Sequence, residues 1–262
     1  MEEVLAKALK SAQEAEVYRE SHTDTSMTFE ANRLKMVDFR ETSGLALRLI
    51  KDGHMGFSST TNSSEMDALV EHALEVAPFG AEARLEFPAA SAYPPVEVYD
   101  PQVEEVSLEA MEHLGQGLID AVRAAWPQVM CEGRVSRSLV KMEMINSRGG
   151  QASYLKAIFN IHVEGVLIQD TDMLFVSESQ SSCHPIAETT HLRDSVLLQL
   201  ERASRIASVP TRTMPVVFTP RGLAGVLLGP LLSGLNGKTV LRGTSPLAGR
   251  LGEQVADERI SL

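Results

Sequence analysis

Cys183, His184 and His191 form the only local gathering of soft metal ligands in the sequence, and zinc would take their sulfur and imidazole nitrogens in a tetrahedral set of three or four. Their spacing matches no established ligand pattern, and a loop entering a helix explains all three, so the structural reading is preferred. Asp170 and Asp172 stand two apart. On one strand they would share a face and suit a hard cation or acid–base work, but a polar turn between strands accounts for them without chemistry. Glu104 and Glu105 precede a helix, whose N-terminal dipole favours carboxylates. The hydroxyls of Ser59, Thr60 and Thr61, and of Thr244 and Ser245, have no neighbouring His or Lys to activate them as nucleophiles. Gly243, Gly249 and Gly252 depart from the G-x-G-x-x-G order and no strand leads straight into them, so a nucleotide site is not supported. His162, between Ile161 and Val163, and His54, in a turn, read as hydrogen-bonded structural histidines. Residue by residue, no catalytic centre emerges. An independent peptidase built on Cys183, His184 and His191 is the least favoured reading, one that substitution of His191 would abolish.

The elements that must position these residues follow from the hydrophobic pattern. Val4, Leu5, Ala8 and Leu9 recur at helical spacing within residues 4–12. Residues 15–19 and 26–30 alternate with period two, and Ala31-Asn32-Arg33 can turn the chain into a further strand over 34–39. Leu45, Leu47 and Leu49 continue the alternation, and Asp52-Gly53 supplies turn chemistry before Met55-Gly56-Phe57, so the first 60 residues are expected to be mainly antiparallel sheet. Asn62, Ser63 or Ser64 can cap a helix that buries Met66, Leu69, Val70 and Leu74. Pro78, Pro88, Pro94, Pro95 and Pro101 interrupt regular structure and place a boundary there. A long helix begins at Ser107 and stops at Pro127. Alternating segments at 140–145 and 159–165, divided by Ser147-Arg148-Gly149-Gly150, predict a second antiparallel sheet. Residues 191–206 read as helix, 215–220 as a short buried strand, and 222–235 as helix again.

These patterns give an α+β fold of antiparallel sheets covered by helices, with the start of a β-rich C-terminal domain. The expected domains are 1–87, 100–208 and an incomplete 212–262. The 262 residues are 44% hydrophobic and 23% charged, the make-up of a globular protein. A formal net charge of -11 repels phosphate and disfavours direct nucleic-acid binding. No apolar run approaches a membrane span, the N-terminus does not read as a secretory signal, and two cysteines fit a reducing compartment. A cytoplasmic setting is expected.

Several segments together resemble the TldD/PmbA family, known as modulators of DNA gyrase and linked with microcin peptide maturation. Ala15-Glu16-Val17-Tyr18, Asn32-Arg33-Leu34 and Gly44-Leu45-Ala46-Leu47-Arg48 are similar to its opening sheet. Gly53-His54-Met55-Gly56-Phe57-Ser58-Ser59 is similar to its next strand, and Ile145-Asn146-Ser147-Arg148-Gly149 to a turn of its middle domain. The most specific stretch, Arg242-Gly243-Thr244-Ser245-Pro246-Leu247-Ala248-Gly249-Arg250-Leu251-Gly252-Glu253-Gln254-Val255, resembles the PmbA-like (TldE) branch.

In the TldD branch a helix just upstream carries His-Glu-x-x-x-His, whose imidazoles hold zinc while the carboxylate works on water. The matching stretch here is Leu227-Leu228-Gly229-Pro230-Leu231-Leu232-Ser233-Gly234, which sets Gly229 and Gly234 at the ligand positions and Pro230 at the carboxylate position. The resemblance therefore implies a non-catalytic subunit with no metal or cofactor of its own. Its partner would be a TldD-like chain that carries the zinc, and the pair would degrade or mature unfolded peptides. Arg242, Ser245 and Arg250 are the residues expected to touch partner or peptide. The family continues past this stretch into a β-rich domain, so the sequence, ending at Leu262, is expected to be a C-terminally shortened member with apolar residues such as Leu227, Leu228, Leu231 and Leu232 poorly covered. The rival reading is a non-proteolytic binding protein acting on DNA gyrase or a toxin–antitoxin pair.

Overall fold

The computed structural model describes residues 1–262 apart from Ser63, Asp170, Thr171, Ile206, Ser261 and Leu262. The chain divides into two compact units, Met1–Ile206 and Ala207–Leu262.

The first unit is organised by strand β1, Glu14–Glu30. It turns through Ala31 and Asn32, at φ 48° and 72°, into β2, Arg33–Lys51. Two central residues at positive φ give the hairpin turn whose twist matches that of the strands, and Asn tolerates this conformation well. The turn is pinned from outside, because the Asn32 side-chain oxygen accepts the Cys131 N–H at 2.7 Å. Asp52 and Gly53, at φ 50° and 76°, repeat the device before β3, His54–Thr60. After a helical interlude come β4, Met130–Asn146, β5, Gln151–Gln169, and β6, Asp172–Ser182. The β4–β5 turn is held by Asn146, whose side-chain oxygen accepts the N–H groups of Arg148 and Gly150, both at 2.9 Å.

All six strands join one antiparallel sheet in the order β3-β2-β1-β4-β5-β6. This corrects the expectation of two separate sheets. β1 uses both edges, pairing with β2 from Glu14 to Glu30 and with β4 from Glu16 to Phe29. Joining two long hairpins in this way satisfies backbone groups that separate sheets would leave unpaired. The same pairing explains why the two expected strands at 15–19 and 26–30 are one. Residues 20–25 have little apolar alternation of their own but are hydrogen-bonded from both sides.

The two-module reading nevertheless had a physical source. One core gathers Ala15, Val17, Leu45, Leu47 and Leu49 under α1, Glu2–Ala8, and α2, Met66–Val76. A second gathers Met27, Phe29, Val135, Phe159 and Ile161 under α4, Leu108–Ala125, and α5, Thr190–Ala203. A short α3, Gln102–Glu105, precedes α4 and contains the two glutamates expected ahead of the helix. Both cores lie along one sheet within the first unit, Met1–Ile206. Each core depends on close approach at a glycine. A Cβ on Gly56 would lie 2.0 Å from the Ala73 carbonyl oxygen of α2, and one on Gly115 would lie 2.4 Å from the Phe29 ring.

Helix ends were partly legible. Ser107 caps α4, accepting the Ala110 N–H at 3.1 Å. The residue at the N-cap of α2 is Glu65, without a side-chain cap bond, while Asn62 bonds Glu65 and Ser64 in the preceding turn. The Ser63 alternative lies outside the described residues, as does Ile206 at the expected end of α5. α1 is shorter than the expected 4–12, because Leu9 to Ser11 already form turns.

The second unit contains α6, Pro220–Leu223, a π-helical turn at Ala224–Leu228, α7, Gly229–Leu235, and α8, Gly237–Leu241. The expected strand over 215–220 is not formed. No strand occurs among the described residues of this unit to give Val216, Val217 and Phe218 a ladder partner, and Val217 is 94% exposed. Thr219 instead caps α6, accepting the Gly222 N–H at 3.1 Å.

Candidate functional site

The three positions that the resemblance sets against a zinc motif lie together on α7. Gly229 and Pro230 open the helix and Gly234 sits at its far end. None of the three residues carries a donor atom on its side chain, and proline cannot act as a base. Zinc does not fit this donor set. Among the described residues no group of three or more His, Cys, Asp or Glu side chains is arranged to hold a metal ion.

Downstream, Ser245 is one of two buried residues among those described in the second unit, the other being Gly234. Its hydroxyl donates to the Gly234 carbonyl at 2.5 Å and accepts the Leu247 N–H at 3.0 Å, tying the loop to the end of α7. Leu247 in turn lies 3.6 Å from where a Gly234 Cβ would stand, close contact but not collision. Arg250 Nε pairs with Glu253 Oε2 at 2.8 Å in the open, whereas the Arg242 guanidinium has no side-chain partner among the described residues. Gly243, Gly249 and Gly252 have φ of 70°, 76° and 85°, so their spacing reflects turns that favour glycine rather than a phosphate cradle. Thr244 Oγ1 donates to the Thr239 carbonyl at 3.3 Å.

The other candidates from the sequence are dispersed. His184 Nδ1 is 2.8 Å from Asp100 Oδ2, and this contact, with the Gln102 N–H, holds the Asp100 carboxyl below the usual range. Cys183 and His191 join no metal group with it among the described residues. Asp172 opens β6 opposite Gln169, in the hairpin expected, and its companion Asp170 lies outside the described residues. His54 Nδ1 is 3.0 Å from the Asp52 carbonyl in the β2–β3 turn. Thr60 Oγ1 serves the turn at Asn62, accepting its N–H at 3.0 Å. His162 faces Arg134 across the β4–β5 ladder.

Sequence reasoning missed a row on β1. Tyr18, Glu20 and His22 alternate onto one face of the strand, and the Glu20 carboxylate bridges the Tyr18 hydroxyl and the His22 ring. Those two hydrogen bonds lower the Glu20 pKa, and the bond to Glu20 together with burial pushes the Tyr18 phenol up to about 12. Further along the same face Asp24 accepts from Ser138. A period-two count carried through residues 18–26 would have found the row.

The sequence pattern of PmbA/TldA metallopeptidase domain 1 matches residues 15–77, and that of the PmbA/TldA metallopeptidase C-terminal domain matches residues 211–262. No curated protein matches the chain. Among solved structures, TldE from Thermococcus kodakarensis superposes with a TM-score of 0.87 at 18% identity, over 98% of this chain and 60% of that one. TM0727 from Thermotoga maritima and BT3649 from Bacteroides thetaiotaomicron, each described as a candidate modulator of DNA gyrase, give TM-scores of 0.81 and 0.82 at 17% identity. Each is matched over 98% of this chain, and over 59% and 61% of its own length, so the chain spans about 60% of the solved relatives. The matches at both ends of the sequence, on the sheet and helices just described, support a member of the PmbA/TldD family.

Proposed function

We propose that this chain is the non-catalytic, PmbA-like (TldE-like) subunit of a two-subunit zinc peptidase that degrades or matures unfolded peptides. What supports the reading is the donor-free side-chain chemistry of Gly229, Pro230 and Gly234 on α7, the residues that the resemblance sets against a zinc motif. Zinc, in this account, belongs to a TldD-like partner, and this chain completes the chamber in which peptide is handled. Arg242 and Arg250 are the proposed contacts to partner or peptide. Ser245 acts by fixing the loop against α7. The setting is cytoplasmic, in keeping with two cysteines that stay free, and among the described residues no helix is long and apolar enough to cross a membrane.

The test is hydrolysis of an unstructured peptide by the zinc-motif chain of the same organism, co-expressed with or without this chain. Activity only with both is expected. Equal activity without this chain, with the two eluting separately, would overturn the proposal. The second reading, a binding protein acting on DNA gyrase without proteolysis, draws on the description of two structural relatives. It predicts gyrase association that survives destruction of the partner's metal motif, whereas a proteolytic route requires that motif.

A further inference from the structure

β5 is longer than the strand that covers it. β6 pairs with β5 only from Phe159 to Gln169, so among the described residues the edge from Gln151 to Ile158 has no strand beside it. Ala157 directs its N–H toward this edge, donating to the Val98 carbonyl at 2.9 Å. Strand alternation then points the N–H and C=O groups of Gln151, Ser153 and Leu155 the same way, and none of these has a hydrogen-bond partner among the described residues. An open ladder of this kind is a template for another extended chain.

The segment 91–99 runs alongside but cannot close the ladder. Pro94 and Pro95 have no N–H to give, and the Val98 N–H turns back to the Val96 carbonyl at 3.1 Å. Between this strap and β5 lies a cavity of about 1100 Å³, lined in part by Tyr93, Pro94, Tyr99, Tyr154 and Lys156. Six strand residues span about 20 Å, the reach of a short peptide. The rings offer apolar bodies to alternate side chains. Charge adds a preference: Lys156 has no partner among the described residues, and Lys141, opposite Leu155 and paired with Glu143 at 3.1 Å, flanks the other face of the edge.

We infer that the groove between the proline strap and the open edge of β5 binds an extended peptide bearing an acidic side chain, added to the sheet as a further strand through Gln151, Ser153 and Leu155. Main-chain pairing would accept many sequences, with Lys156 and the tyrosines setting preference. This inference extends the peptide-handling reading, but it concerns binding by this chain alone and stands or falls separately from any partner's hydrolysis.

The experiment is fluorescence anisotropy of the full chain with a labelled, unstructured ten-residue peptide of Val and Thr carrying one central Glu, and with a series methylated at single backbone nitrogens. Methylation at alternate residues should weaken binding about tenfold, the scale of one or two net hydrogen bonds, and methylation at intervening residues should leave it within about twofold. Ser153→Pro removes an outward N–H without touching the β4 ladder, a position where an edge strand tolerates proline, and should also cost about tenfold with circular dichroism and melting unchanged. Absence of binding, methylation effects without a period of two, or unchanged affinity in a folded Ser153→Pro chain would overturn the inference. Should that variant unfold, the methylated series decides alone.

Discussion

The first unit closes two apolar cores on one face of a sheet, whereas the second buries, among its described residues, only Gly234 and Ser245. Leu227, Leu228 and Leu232 of the second unit are 40%, 43% and 55% exposed, and Leu241 is 90% exposed. A helix that is apolar on several sides is stable when another surface covers it. Sequence pattern alone gives helices with apolar faces in both units. The difference shows that helical periodicity reports which residues prefer to be buried, not whether anything within the same unit buries them.

The comparison is broken most severely by emptying a closed core. Phe29→Ala removes a ring that is 1% exposed against Gly115, and should cost about 3–5 kcal/mol in urea unfolding. Leu241→Ala, in the second unit, should stay within about 0.5 kcal/mol. Similar losses at both positions would mean that the second unit has a core of its own. Gly56→Ala puts a methyl where the Ala73 carbonyl stands and should cost about 1–3 kcal/mol, read as a lower melting temperature.

Smaller effects test the chemistry of the first unit. Cys131 is fully buried and its thiol is pushed up to about 11 by that burial, while Cys183 is partly exposed. A thiol reagent at neutral pH should therefore label one cysteine in the native chain and the second only in denaturant. The Tyr18 phenol should ionise near 12, because its bond to Glu20 and burial favour the neutral form. The sign follows from linkage: a raised pKa means that the folded chain keeps this proton when the unfolded one has lost it, so stability falls as pH rises from about 10 toward 12. Glu20→Gln should lower that ionisation in an ultraviolet titration.

Most elements of the first unit were legible because each carries a local signal: Ala31-Asn32 and Asp52-Gly53 for turns, Ser107 for a cap, and Leu45, Leu47 and Leu49 for a half-buried strand. What was not legible depends on partners distant in sequence. The stretch from Glu20 to Thr25 is strand only because β2 and β4 hold it on both sides, and the Tyr18, Glu20 and His22 row was lost with it. The opposite error occurred at 215–220, where β-branched and aromatic residues suggested a strand with no neighbour to pair with. At the candidate site, the donor-free character of Gly229, Pro230 and Gly234 could be read directly. The buried link from Ser245 to the Gly234 carbonyl required the fold.

The central claim is that metal chemistry resides outside this chain. It is tested most directly by measuring zinc in the chain purified alone and after co-purification with its zinc-motif relative. The account predicts no stoichiometric zinc in the chain alone, and in the complex zinc that disappears when the relative's two motif histidines are replaced. Zinc that stays with this chain after those replacements would contradict it.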